Sequence, residues 1–348
     1  MAVNPKMIVI ARESRGLTQS ELAEKIDLPV SSLSRVEFGS LGLRDEMFDK
    51  LCKELNYPKE FFSQNFSIYP PNIHYRKRVT LSPKIVRKAD ALMNIYRSNI
   101  EKLLQTISLE SANIPIIDDE KYSSPRQVAS YLRSYWRVEK GPITDLVTLV
   151  EKHGIIVIMF DYETDRIDGR SMVTEYGHPI IFLNKNFSGD RQRMTLAHEL
   201  GHIIMHLRTI PTFGRDEEAE AFEFAAEFLM PESQIKHNLP ARLSLEIFAD
   251  QKRIWKVSMA AVLYWAEQLG RITQNQSRYI WAQYSGRGYK KHEPIMIEID
   301  QPTLVKRMIN MFMQDRQFSK DEIAEIFCLS KDELEQKFFS SVRTLRVA

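Results

Sequence analysis

Cysteine is nearly absent from this chain: only Cys52 and Cys328 occur, far apart. A pair so separated builds neither a disulfide framework nor a thiolate metal cluster, so a reducing, cytoplasmic setting is expected. No run of about 18 uncharged apolar residues occurs, so neither a membrane span nor a membrane partner is expected. The opening stretch meets Arg12 and Glu13 before any long apolar run, which does not read as a secretory signal. An excess of one charge is lacking too. The formal net charge is +2, so any nucleic-acid binding has to rest on local patches. Neither an internal repeat nor a low-complexity segment is evident. What remains is 43% hydrophobic and 27% charged residues over 348 positions, a soluble composition with room for two or three cores.

The expected fold is α+β. Residues 1–65 read as an all-helical unit, with turn residues at Gly16, Asp27 and Gly39. A basic linker and connecting helix follow over 66–120, the helix running from Pro83 to about Ile107. Residues 121–235 carry helices at Pro125–Trp136 and Ile143–His153. Three strand candidates come next: the β-branched run after Gly154, the stretch Ile167–Val173, and Pro179–Asn184. Helices dominate from Asp190 to Ser277, so a small sheet precedes a helical block, with 236–292 as a helical subdomain. Residues 293–348 form a tail of unassigned role, with two short helices around Cys328, Leu329 and Ser330.

The strongest chemical signal is the stretch MTLAHELGHIIMH, residues 194–206. On a helix, His198 and His202 lie one turn apart on one face, where two imidazoles can share one Zn²⁺. Glu199 stands about 100° round the helix, placed to serve as general base without being a ligand. Bare HExxH also arises by chance on surface helices. Two neighbours strengthen the metal reading. The strand Pro179–Asn184 directly precedes the helix and could hold an extended peptide by edge pairing, and an acidic helix follows. A catalytic zinc takes three protein ligands, and the acidic helix offers Glu217, Glu218, Glu220, Glu223 and Glu227. Ala221, Ala225 and Phe228 form its apolar stripe, which Glu218 continues one turn earlier. A carboxylate on a buried face must be paired or bind metal, so Glu218 is the third candidate ligand and Glu220 the second choice. Glu223 and Glu227 read as a solvated face, and His206 as a partly buried histidine rather than a partner of the ligands. His178 is a weak candidate for oxyanion stabilisation.

Residues 17–39, LTQSELAEKIDLPVSSLSRVEFG, have the layout of a helix-turn-helix. Leu22, Ala23 and Ile26 point inward, Asp27 takes the turn, and Leu33 and Val36 anchor the second helix. Val30, Ser31, Ser32 and Arg35 are left on its outer face as the DNA-reading candidates, with Gln19 placed to brace a phosphate. The unit holds nine Lys or Arg against ten Asp or Glu. A run with six basic residues and no acid, 74–88, could supply the missing phosphate contacts through Arg76, Lys77 and Arg78. The bland alternatives are a helical bundle for protein contacts and a solvated basic face.

Taken in order, these segments resemble the ImmA/IrrE metallo-endopeptidases in their form fused to an XRE-type helix-turn-helix. The matching pieces are TQSELAEKI with SRVEFG, YRKR, GPITDLVTLVEKHGIIVI, IDGRSM, LAHELGHIIMH, EAEAFEFAAEFLMP and DQKRIWKVSMAAVLYWAEQLGRI, then HEP at 292–294. The resemblance implies a zincin-like domain holding Zn²⁺, with Mn²⁺ or another divalent ion as the alternative. Its ligands would be His198, His202 and Glu218, and its base Glu199. The family often has Asn or Asp four residues after the third ligand, where this chain has Phe222. The implied partners are a DNA operator and a protein substrate, typically a repressor with its own helix-turn-helix; a homodimer is left open. The competing readings are a non-cleaving DNA-binding regulator with a peptidase-like sensor, and an antitoxin-like interaction module.

Overall fold

The computed structural model describes residues 3–69, 81–117, 122–207, 215–240 and 243–339. The chain opens with α1 (Pro5–Ser14), α2 (Gln19–Lys25), α3 (Val30–Glu37) and α4 (Asp45–Leu55). Thr18 and Glu21 close a capping box at the start of α2. Asp27 turns the chain in the left-handed region, at φ 54°, a conformation that Asp tolerates better than most residues. Leu22, Ala23, Ile26, Leu33 and Val36 are all buried, as their spacing requires.

The long α5 (Pro83–Leu104) begins with proline at its first turn and leads to α6 (Pro125–Tyr135) and α7 (Leu146–Lys152). The helix expected from Ile143 starts later because Asp145 caps it through Thr148 N. Three strands follow: β1 (Ile156–Phe160), β2 (Gly169–Val173) and β3 (Pro179–Asn184). They lie in the order β1-β3-β2, with β3 parallel to β1 and antiparallel to β2. The expectation that Pro179–Asn184 offers a free edge is therefore wrong, since β3 is the central strand. All six of its residues are buried, and an apolar run without alternation is what a strand covered on both faces needs. The outer strands are β1 and β2.

Helices complete the chain: α8 (Gly189–Met205), α9 (Glu217–Leu229), the single turn α10 (Glu232–Ile235), α11 (Leu245–Trp255), α12 (Met259–Gln268) and α13 (Gln274–Gly286). The tail forms α14 (Leu304–Arg316), α15 (Lys320–Phe327) and α16 (Lys331–Leu334), the last continued by a helical turn through Phe339. None of the helices is long and apolar enough to cross a membrane among the described residues.

The sheet divides two cores by its alternation. Ile156, Ile158, Phe160, Ile180 and Phe182 face a core shared by α1–α4, α5 and the tail helices. Val157, Ile181 and Leu183 face the core of α6–α9 and α11–α13. The tail is thus an integral part of the first core. Between the two, residues 293–303 are tied down by carboxylates. Glu293 accepts from Met259 N and Ala260 N at the start of α12. Glu151 accepts from Thr303 N and Leu304 N at the start of α14.

Candidate metal centre and nucleic-acid interface

Helix α8 packs closely against α9. Gly201 makes this contact possible, because a Cβ there would stand 3.0 Å from the Phe224 ring and 3.3 Å from Ala221 Cα. The close approach brings Glu218 from the first turn of α9 to His198 and His202 on α8. His198 Nε2 and His202 Nε2 are 3.1 Å apart. Glu218 Oε2 is 3.6 Å from the first, and Oε1 is 3.4 Å from the second. Donors about 2.0–2.1 Å from one tetrahedral ion stand roughly 3.3 Å from each other. Two imidazole nitrogens and a carboxylate oxygen at these separations fit a divalent cation of the zinc type, and the three residues form the one such group among the described residues. Burial alone would raise the Glu218 carboxyl. Its hydrogen bonds and charge contacts with the two histidines outweigh burial and hold it well below the usual carboxylate range.

Glu199 is buried beside this group. Burial pushes its carboxyl up, against the pull of His198 and of a hydrogen bond from Ser171. Ser171 on β2 is not legible in the sequence, since nothing in its spacing ties it to α8. The centre opens on a cleft of about 1720 Å³ lined by Asp168, Gly169, Arg170, Arg191, Phe222 and the start of α14 among others. A buried carboxyl, raised by that burial and lining the cleft beside three convergent donors, is suited to accepting a proton from a nucleophile.

The neighbours of the centre differ from expectation. His206 is no isolated core histidine: its Nδ1 is 3.0 Å from His202 Nδ1, and its Nε2 is 2.9 Å from Glu220 Oε2. Arg215 holds the same carboxylate at 2.9 Å, so Glu220 supports His206 rather than facing the centre. Although burial would raise Glu220, Arg215 and then His206 keep its carboxyl low. Glu223 pairs with Arg126 at 2.6 Å. Glu227 is buried, not solvated: it accepts from Ser130 Oγ and Glu232 N, and burial raises its carboxyl. Its partner Ser130 comes from α6, which no helical periodicity within α9 can reveal. Phe222 lays its ring against His198, centroids 4.5 Å apart, and His198 Nδ1 is buried with no hydrogen-bond partner among the described residues. His178 is buried at the start of β3, does not line the cleft, and is held low by burial.

At the N-terminal unit, Val30, Ser31 and Arg35 are exposed on one side of α3, with Ser32 half-buried. Gln19 spends its amide on Glu37, donating from Nε2 at 2.6 Å, and Glu37 in turn takes the buried Arg12 guanidinium. Phe38, at the end of α3, is 87% exposed, and its spacing gives no sign of that. Arg76, Lys77 and Arg78 lie outside the described residues.

Comparison with known families agrees with this geometry. The model of the IrrE N-terminal-like peptidase domain matches residues 150–266, which hold His198, Glu199, His202 and Glu218. A helix-turn-helix model matches residues 8–62, and such a domain implies DNA binding. A search of curated proteins found no match to the chain.

Proposed function

We propose that this chain, which carries an IrrE N-terminal-like peptidase domain behind an XRE-type helix-turn-helix domain, is a metal-dependent endopeptidase and DNA-binding regulator. Its substrate class is a helix-turn-helix repressor or other partner protein whose cleavage alters transcription. The observation that carries this reading is the convergence of His198, His202 and Glu218 with an intact Glu199 alongside.

In this reading His198, His202 and Glu218 hold a divalent ion, Zn²⁺ first and Mn²⁺ as the alternative. The ion's contribution when bound is Lewis acidity toward a peptide carbonyl and toward water. Glu199 takes the proton of the attacking water on its carboxylate and passes it to the leaving amine. Burial favours the protonated carboxyl, which suits a group that must accept a proton and keep it until the C–N bond breaks. Ser171 orients the carboxylate and His206 orients His202. At the other end, Ser31, Ser32, Val30 and Arg35 read base edges in the major groove.

A second reading is a non-cleaving regulator whose peptidase-like domain senses a ligand. Phe222 favours it, because an aromatic ring packs on His198 and that imidazole's outer nitrogen has no hydrogen-bonding support among the described residues. Incubation of the purified chain and Zn²⁺ or Mn²⁺ with candidate repressor proteins separates the two. Cleavage that disappears with Glu199→Gln supports the peptidase. Retained DNA binding with no cleavage of any candidate supports the sensor.

A further inference from the structure

The tail repeats the first three helices of the N-terminal unit, in order and at one constant interval in the chain. Buried Met7, Ile8 and Ala11 of α1 correspond to buried Met308, Ile309 and Phe312 of α14. The chain then turns through Gly16 at φ 66° and Gln317 at φ 56°. Leu17 N donates to Arg12 O at 3.1 Å, and Phe318 N to Met313 O at 3.0 Å. Thr18 and Glu21 form a capping box, and so do Ser319 and Glu322. Leu22, Ala23 and Ile26 match Ile323, Ala324 and Phe327, all buried. Asp27 at φ 54° matches Cys328 at φ 51°. Leu28 N donates to Ala23 O, and Leu329 N to Ala324 O, both at 2.9 Å. The ion pair of Arg12 with Glu37 has its counterpart in Met313 and Phe338, so both polar partners change together to apolar ones. Agreement in one capping box, two left-handed turns and the buried positions, at one interval along three successive helices, goes beyond what two unrelated helical hairpins share.

The outward face does not repeat. Where α3 shows Val30, Ser31, Ser34 and Arg35, the tail shows Lys331, Asp332, Glu335 and Gln336. Its lysines are already committed: Lys320 to Glu335 at 2.8 Å and Lys331 to Asp321 at 2.7 Å. A phosphate backbone approaching this face meets carboxylates. Glu333, in the place of Ser32, is turned instead to Arg15 at the end of α1, with which it pairs. Both units pack on α5, where Lys102 donates to Ile326 O at 2.8 Å and Phe338 lies 5.3 Å from Tyr96.

We propose that residues 304–339 are a second helix-turn-helix unit that has lost DNA reading and serves in cis as the partner of the first, so that one chain reads one half-site as a monomer. Helix-turn-helix proteins ordinarily gain two reading heads by pairing two copies; here the second copy is in the same chain and its head is acidic. The proposal rests on the DNA-reading assignment of α3 given above.

The experiment uses the full chain, alone and with duplexes it selects from a random-sequence pool. Sedimentation should show a monomer when free and one chain per duplex. The footprint should cover a single half-site, about 10 bp or less. Arg35→Ala should weaken binding about tenfold or more, while Gln336→Ala and Asp332→Ala leave it within about twofold. A chain that dimerises and protects two half-sites one helical turn apart overturns the proposal, and so does loss of affinity in Gln336→Ala. Hydrogen exchange tests the pairing without DNA. Glu333→Arg should speed exchange in both 304–339 and the N-terminal unit, and adding Arg15→Glu should restore it. Unchanged exchange in Glu333→Arg overturns the pairing. A full chain that binds no duplex at all, yet is monomeric and shows the exchange effect, removes the DNA-reading assignment of α3 and leaves the pairing standing.

Discussion

The Nδ1 atoms of His202 and His206 stand 3.0 Å apart, and both rings are buried at the end of α8. With Nε2 of His202 turned to His198 and Glu218, its hydrogen belongs on Nδ1 and is donated to His206. His206 then keeps its own hydrogen on Nε2 for Glu220. This chain fixes the tautomer that a ligand needs. Replacing His206 by alanine should lower metal affinity by about 10–100-fold while leaving His198 and His202 in place. Competition with a chromogenic chelator measures it. An affinity equal to wild type would show that the contact is only packing.

One divalent ion per folded chain is expected. His198→Ala, His202→Ala or Glu218→Ala should each reduce occupancy sharply, because catalytic zinc sites rest on three protein ligands. Elemental analysis of the dialysed proteins decides this. Full occupancy in the double histidine variant is incompatible with the assignment.

Glu199→Gln keeps size and helix propensity and removes the proton acceptor. Peptidase activity should fall by about 10²–10⁴-fold, the usual contribution of general acid–base catalysis. Metal content should stay at the wild-type level, since Glu199 is not one of the three convergent donors. Cleavage at the wild-type rate would falsify the mechanism.

On the DNA side, Arg35→Ala with Ser31→Ala should relax sequence preference. Neutralising Arg76, Lys77 and Arg78 should weaken binding to every sequence and flatten its dependence on salt. The log–log slope should shrink by about 0.9 for each phosphate that the protein no longer neutralises. A triple variant with the wild-type slope would show that the basic run is a solvated face.

Acid should loosen the reading unit at one identifiable point. Glu21 accepts from Lys84 Nζ at 2.7 Å and from Thr18 N at 2.6 Å. The Lys84 contact first, and the capping box after it, lower its carboxyl from 4.5 to about 2. A depressed carboxylate contributes stability above its ordinary value and loses it as pH falls toward the depressed one. The difference in melting temperature between wild type and Glu21→Gln should therefore be full above pH 4.5 and vanish near pH 2. A difference that does not change with pH contradicts the assignment.

Much of the centre is legible in the sequence because its signals are local. His198, Glu199 and His202 follow from the pitch of one helix, and Glu218 from an apolar stripe that this carboxylate continues one turn earlier. Features carried by distant partners are not. Glu227 meets Ser130, and His206 meets Glu220 across a helix pair, so neither can be placed from its own neighbours. Pro179–Asn184 reads as an edge because a fully apolar strand looks the same wherever it lies in a sheet; only its pairing with both neighbours settles it. The tail's likeness to the N-terminal unit is hidden because its shared features are caps, turns and burial, which differ in letters: Thr18 against Ser319, Asp27 against Cys328.

The two ligand-bearing helices are spaced by atoms that Gly201 does not have. A single methyl group there would press on Phe224 and Ala221 and carry the first turn of α9 outward, while both histidines stayed on α8. Such a chain would still spell His198-Glu199-Leu200 and, after position 201, His202. Its third donor would sit a few tenths of an ångström further from the two imidazoles, so the grip of the three donors would be loosened by a residue that is none of them.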